Sequence, residues 1–366
     1  MAISAADVKT LREMTGAGMM DCKKALTETD GDFDAAVEFL RKKGLATAVK
    51  KAGRIAAEGI VATVISDDDN TAPIIEVNSE TDFVAKNETF TDYVKALATQ
   101  INNNNYANMD EFNAAKSDVN PEATVADQHA AMVAKIGENL TIRRFEKVTG
   151  DVVVSYIHMG GKIGVLVDAK CDAPNDNIKE AMKNVAMQIA AMNPQFVKDE
   201  DMTADFMAKE KDTIVDSSLN DTASLPKPIL NELLNKAVSE KLWNDEDIKA
   251  YEAEKNNKFL FNFLSDEAKA VLASEAMAKK AEYVDNKIFA GLVDGRLKKH
   301  FKEICLMDQT YVKAEDKESV KQYVEKVAKE NGCTFEINKF IRFETGEGLE
   351  KKNEDFAAEV AKQMGQ

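Results

Sequence analysis

Apolar residues fall into helical and alternating patterns along most of this chain, and the changes of period mark its elements. Val8, Leu11 and Met14 recur at helical spacing behind Ser4, a candidate N-cap, with Asp7 as the capping-box acid. Glycines in Thr15-Gly16-Ala17-Gly18 interrupt that helix, and a second is predicted over Met19 to Leu26. After the turn cluster Thr29-Asp30-Gly31-Asp32, the residues Phe33, Ala36, Val37 and Leu40 mark a third, ended by Gly44. Lys50-Lys51-Ala52-Gly53-Arg54 reads as a linker helix. Residues 1–55 thus form a three-helix unit, small enough that a modular binding role is plausible.

The pattern then turns to strands. Gly59 to Ile65 and Ile74 to Asn78 read as a hairpin turned by Asp67-Asp68-Asp69-Asn70, followed by a helix over Glu88 to Ile101. Asn102 to Asn105 reads as a loop, Val125 to Ile136 as a helix stopped by Gly137, and Leu140 to Phe145 as extended. The unit recurs: strands over Asp151 to Ile157 and Ile163 to Asp168, then a helix over Asn177 to Ala191. Val94 to Ile101 laid on Met182 to Ile189 matches in Lys, Ala, Gln and Ile, so two related hairpin-plus-helix subdomains are expected in an α+β fold. From Thr203 to Lys287 the chain is helical and charged, with an apolar cluster over Phe259 to Leu264. A helix over Asn286 to Phe301, another over Lys317 to Lys329 and a strand over Cys333 to Phe343 follow. The expected boundaries are 56–148, 149–202 with 286–345, a helical insertion at 203–285, and a C-terminal arm at 346–366.

Between strand and helix, Ser79-Glu80-Thr81-Asp82-Phe83-Val84-Ala85-Lys86 reads as a polar loop carrying one phenylalanine. Such a ring either anchors its loop or is offered to another molecule. The second copy has Cys171-Asp172-Ala173-Pro174 there, so the fold itself does not require Phe83. Met19-Met20 poses a similar choice between a small core and an adaptable partner surface.

Composition narrows the chemistry. Of 366 residues 44% are hydrophobic and 31% charged, and the net charge of -16 argues against a nonspecific grip on nucleic acid. Cys22, Cys171, Cys305 and Cys333 are scattered without a C-x-x-C pair, which favours reduced thiols over a disulfide framework or a zinc site. No signal peptide or bilayer-length apolar run is read, so a soluble cytoplasmic protein is expected. Neither a phosphate loop nor a catalytic or metal motif occurs, and no metal or cofactor is expected.

Two runs carry a resemblance. Leu11-Arg12-Glu13-Met14-Thr15-Gly16-Ala17-Gly18-Met19-Met20-Asp21-Cys22-Lys23-Lys24-Ala25-Leu26 and Thr81-Asp82-Phe83-Val84-Ala85-Lys86 closely resemble the two signatures of the bacterial elongation factor Ts family, in the right order and spacing. The C-terminal Phe356 to Val360 extends the likeness. The resemblance implies a guanine-nucleotide exchange factor for elongation factor Tu. It implies an N-terminal domain like a ubiquitin-associated domain, a two-part α+β core, a helical dimerisation module and a C-terminal helix. It assigns Thr81, Asp82, Phe83 and Val84 to a wedge that disturbs the partner's magnesium and phosphate site. Arg12, Met19, Met20, Lys23, Ile136, Gly137, His158 and Val293 become candidate partner contacts. Usual members have a shorter helical hairpin, so an insertion between about Leu219 and Lys280 departs from the pattern and leaves self-association open. Two other readings stand beside this one: an adaptor for ubiquitin-like partners built on residues 1–55, and an enzyme using Asp82 and His158 as acid and base.

Overall fold

The computed structural model describes residues 3–15 and 17–350. The predicted C-terminal arm beyond 350, including Phe356 to Val360, lies outside the described residues. Three helices lead: α1 (Ala5–Thr15), α2 (Met19–Glu28) and α3 (Phe33–Lys51). Strands β1 (Glu58–Thr63) and β2 (Thr71–Ser79) precede α4 (Asp82–Ala85), α5 (Glu88–Asn103), α6 (Met109–Ala114) and α7 (Val125–Ile136). Then come β3 (Thr141–Thr149), β4 (Val152–His158), β5 (Ile163–Cys171) and α8 (Asp176–Met192). A helical stretch follows: α9 (Ala204–Asn220), α10 (Lys227–Ser239), α11 (Asp245–Glu254), α12 (Asp266–Ala278), α13 (Lys280–Val284) and α14 (Lys287–Ile304). The described chain closes with α15 (Val320–Asn331) and β6 (Phe335–Glu344). The fold class is α+β. The chain divides into two compact units, Pro194–Lys321 being one and the flanking segments the other.

In the flanking unit, Ser4 and Asp7 form the expected reciprocal cap on α1: the Ser4 hydroxyl accepts from the Asp7 N–H and the Asp7 carboxylate accepts from the Ser4 N–H. Leu11, Cys22, Leu26 and Ala36 close the small core, while Met14 is exposed rather than part of it. Gly44 does not stop α3, contrary to expectation. It is buried mid-helix where α3 crosses α7, and a β-carbon there would lie 3.5 Å from the Ala130 carbonyl oxygen. The linker helix is likewise the continuation of α3 to Lys51.

Two antiparallel three-stranded sheets follow, in the orders β1-β2-β3 and β4-β5-β6. Val61, Ile74, Val148, Val153, Leu166, Ile341 and Phe343 pack the sheets on one another. The opposite face of the first sheet holds Ile75, Val77, Phe90, Val94, Leu97 and Ile101. β2 is therefore covered on both faces, which is why Pro73-Ile74-Ile75-Glu76-Val77 lacks a clean alternation. Gly164 sits against the facing sheet: an added β-carbon would meet Val61 Cγ1 at 2.4 Å.

Each sheet carries a bulge at a buried acid of its central strand. Glu76 pairs with Arg144 and Val77 with Ile142, leaving Arg143 as the extra residue. In a regular strand Arg143 and Arg144 would point to opposite faces. The bulge lets both reach Glu76, Arg143 Nη1 at 2.9 Å and Arg144 Nε at 2.6 Å. Asp168 pairs with Lys339 and Ala169 with Ile337, and the extra Asn338 donates to Asp168 at 2.6 Å. The repeated bulge joins the matched helices, where Gln100 and Gln188 are both buried.

The other unit is all helical among the described residues. Leu219, Leu233, Leu234, Trp243, Leu272, Tyr283 and Phe289 form its core, and the Trp243 indole N–H donates to the Ala268 carbonyl at 3.0 Å. Of the predicted apolar cluster, Leu260 and Leu264 enter this core, while Phe259 and Phe263 remain exposed. Helix α14, expected with the second subdomain, packs here through Phe289 and Val293.

Two outcomes follow. Glu76→Ala removes the buried acid that pairs with two arginines and is expected to cost about 3–5 kcal/mol. Amide exchange of β2 and β3 should accelerate by about a hundredfold or more. His129 is half-buried: Nε2 donates to the Leu140 carbonyl at 2.9 Å, and the Tyr93 hydroxyl lies 2.8 Å from Nδ1. Burial holds its pKa below the ordinary 6.5. Between that lowered value and 6.5 the unfolded chain binds the proton and the folded one does not, so stability falls as pH drops through that window. Urea midpoints measured across it should show a shallower slope in His129→Gln.

Candidate functional site

The polar stretch after β2 is not an open loop. Thr81 has extended backbone and caps the single turn α4, its hydroxyl accepting the Val84 N–H at 3.3 Å. The same hydroxyl donates to Glu138 Oε1 at 2.7 Å. Glu138 Oε2 accepts the N–H groups of Glu80 and Thr81, both at 3.1 Å. The reverse tie is made by Glu80, whose Oε1 accepts the Asn139 N–H at 2.6 Å. The turn leaving β2 and the turn leaving α7 are thereby clamped by two carboxylates.

Gly137 makes the second turn possible. It ends α7 with a left-handed φ of 84°, its N–H bonding to the Val133 carbonyl. Lys51 at the end of α3 donates to the Gly137 carbonyl at 2.6 Å, and Asn139 Nδ2 donates to the Arg54 carbonyl at 2.7 Å. The exit of the three-helix unit is thus fastened to the same brace.

On this support the side chains divide. Ala85 is buried and Val84 half-buried, both in the α5 core, and they anchor the turn from beneath. Phe83 points away, with 81% of its surface exposed. Asp82 beside it pairs with Lys86 at 2.6 Å. That hydrogen bond, reinforced by the Lys86 charge and by Lys162 from the β4–β5 turn, holds the Asp82 carboxyl below its ordinary pKa, so it is anionic near neutrality.

The other candidates are spread over several elements. Arg12 and Lys23 are exposed on α1 and α2. Met19 and Met20 open α2 and are 57% and 76% exposed, so neither fills the small core. Ile136 is half-buried against the α5 core. His158 ends β4 half-buried, its Nδ1 2.9 Å from the Tyr156 hydroxyl. The turn after His158 lies on the first sheet: Gly161 accepts the Val61 N–H at 2.7 Å, and Lys162 pairs with Glu58. Val293 is not a surface residue. It is 1% exposed in the helical core of the Pro194–Lys321 unit, which removes it as a contact in this conformation. Asp82 and His158 each bond to another partner rather than to one another.

The profile of the family described as Elongation factor TS matches residues 80–347, a span that starts at the clamp. The chain belongs to the elongation factor Ts family. It is 42% identical over 365 residues to an elongation factor Ts of Clostridium botulinum, covering 99% of each chain. The Clostridium novyi elongation factor Ts is 41% identical over 366 residues, covering 100% of this chain and 99% of its own. That of Trichlorobacter lovleyi is 40% identical over 371 residues, with the same coverage. Membership places the chain among translation elongation factors of protein biosynthesis. Because these alignments run almost end to end, the helical stretch expected to be an insertion is matched in these relatives. No helix among the described residues is long and apolar enough to cross a membrane.

Sequence reading singled out the turn but missed Glu80 and Glu138 as its clamp. The available signal was an acid directly after a helix-ending glycine, which on its own reads as a solvated charge. Glu138→Ala removes the acceptor for three donors of the turn. Faster amide exchange is expected at Glu80, Thr81 and Val84, with the exchange of α5 unchanged. Hydrogen-exchange mass spectrometry of the peptide spanning 79–87 reads this directly.

Proposed function

We propose that this chain binds elongation factor Tu carrying GDP and promotes release of the GDP, so that GTP can take its place during elongation. The observation that carries the reading is Phe83: a large apolar ring, 81% exposed, on a turn held by two half-buried carboxylate clamps. An exposed aromatic on a rigid support loses little entropy when it enters a partner. An exchange factor needs no covalent chemistry. It must bind the empty partner more tightly than the loaded one, and that difference expels the nucleotide.

The roles follow the family resemblance. Phe83, with Thr81, Asp82 and Val84 in the same turn, acts as the wedge that disturbs the partner's Mg2+ and phosphate site. The negative charge of Asp82 beside the ring favours drawing cations away from phosphate. The three-helix unit, like a ubiquitin-associated domain, holds the nucleotide-binding domain through Arg12, Met19, Met20 and Lys23. Its exposed methionines suit an adaptable apolar contact. The second sheet, around His158, holds a distal domain of the same partner. Ile136 and Gly137 serve chiefly by carrying Glu138 to the wedge. The exposed rings of Phe259 and Phe263 suit self-association of the helical unit.

Burying one phenylalanine contributes about 1.5–3 kcal/mol. At about 1.4 kcal/mol per decade that is one to two decades of rate. Stopped-flow release of a fluorescent GDP from the cognate elongation factor Tu is the test. The wild-type chain should accelerate release, and Phe83→Ala should lose about tenfold or more of that acceleration with its melting curve unchanged. Unaltered GDP release with the wild-type chain overturns the function. A Phe83→Ala variant as fast as wild type removes the wedge.

A further inference from the structure

The four cysteines carry no metal-binding spacing in sequence, yet the fold brings two of them together beside a carboxylate. Cys171 is the last residue of β5, Asp172 follows it, and Cys333 lies in the connection from α15 to β6. The two sulfurs and a carboxylate oxygen of Asp172 all lie within 4.8 Å of one another. We propose that Cys171, Cys333 and Asp172 form a binding site for a soft divalent cation of the zinc class.

Three features fit this donor set to such an ion. First, two thiolates and one carboxylate oxygen supply three ligands at one corner of the fold, and a water completes a tetrahedron. Tetrahedral bonds of about 2.3 Å to sulfur and about 2.0–2.2 Å to oxygen place the donors roughly 3.5–4 Å apart. The observed cluster reaches that spacing with small side-chain adjustments. Second, backbone structure fixes where the donors sit. The Cys333 N–H bonds to the Ala328 carbonyl at 3.2 Å in the turn that ends α15, where Gly332 takes a left-handed φ of 63°. The Cys171 N–H donates to the Asp151 carboxylate at 3.2 Å. Third, Asp172 is already oriented: its Oδ1 accepts the Thr334 N–H at 2.9 Å, the kind of hydrogen bond that fixes a carboxylate ligand at metal centres.

The burial is graded in a useful way. Cys171 is buried, Cys333 half-buried and Asp172 exposed, so the cluster opens to solvent on one side. Both thiols must lose a proton on binding, and two protons leave for each ion bound. The Cys333 thiol is raised above its ordinary pKa, first by burial and then by the neighbouring Cys171 and Asp172. A bound cation would convert both thiols to thiolate ligands. Cys22 and Cys305, buried in separate cores, serve as internal controls.

The test uses the full chain, reduced and free of chelator, with Cd2+ alone as the probe. Expected is one equivalent bound, with sulfur-to-cadmium charge-transfer absorption and a rise in Tm as Cd2+ is added. Cys333→Ser, the half-buried position, should keep the fold and weaken binding by at least about tenfold with loss of most of the absorption. Asp172→Asn should weaken binding while keeping the absorption. No charge-transfer band in the wild-type chain overturns the site. So does a Cys333→Ser variant that binds Cd2+ as tightly and with the same absorption as wild type.

Discussion

A carboxylate sealed from water holds the sheet-bearing part of this protein together. Glu76 has no exposed surface, and its oxygens are met by Arg143, Arg144, the Asn78 amide and the Gly346 N–H at 2.6–3.1 Å. Burying a charge is tolerable only when every lone pair is answered. The Gly346 N–H comes from the turn after β6, so one side chain of the first sheet also fixes the end of the second. Arg144 extends the same network to the Glu347 carboxylate at 3.1 Å and lies over the Phe343 ring. Apolar packing between the sheets supplies most of the stabilisation. It lacks direction, and the Glu76 network supplies the register.

From that strand the chain passes directly to the Phe83 turn. Four residues beyond Glu76, Glu80 begins the second set of carboxylate clamps, now exposed enough to meet a partner. The two sets divide the labour. The first locks β2 into its sheets, and the second fixes the direction in which the chain leaves β2. A phenylalanine held outward on such a support differs from one on a mobile loop, because its position is settled before any partner arrives. That preorganisation suits a member of the elongation factor Ts family, whose proposed work is to favour one state of another protein.

The internal repeat shows what was shared and what was changed. Both copies have three antiparallel strands, a helix on the hairpin, a buried glutamine near the helix end, and a bulge that turns an extra side chain onto a buried acid. After the central strand they diverge. The first copy has Thr81 to Val84 and its capped turn, and the second has Cys171 and Asp172 next to Cys333. The equivalent corner of each copy carries the residues proposed to bind, while the repeated scaffold beneath it is left intact.

Local pattern alone determined most of the order of helices and strands, the α+β class and the place of Phe83 between strand and helix, since each depends on residues a few positions apart. The three-helix lead, both hairpins, the Gly137 stop and the cap at Ser4 were all legible in that way. It failed where distant segments meet. Gly44 reads as a helix stop until α7 is seen crossing it, and Val293, a candidate contact by family resemblance alone, lies inside the helical core. Glu138 was an ordinary solvated acid in the sequence, and Cys171 and Cys333 were unrelated cysteines. Periodicity reports which face of an element is apolar, because that is set by backbone geometry. It says nothing of which polar atoms from remote segments will share a hydrogen bond or an ion, and only the folded chain decided that.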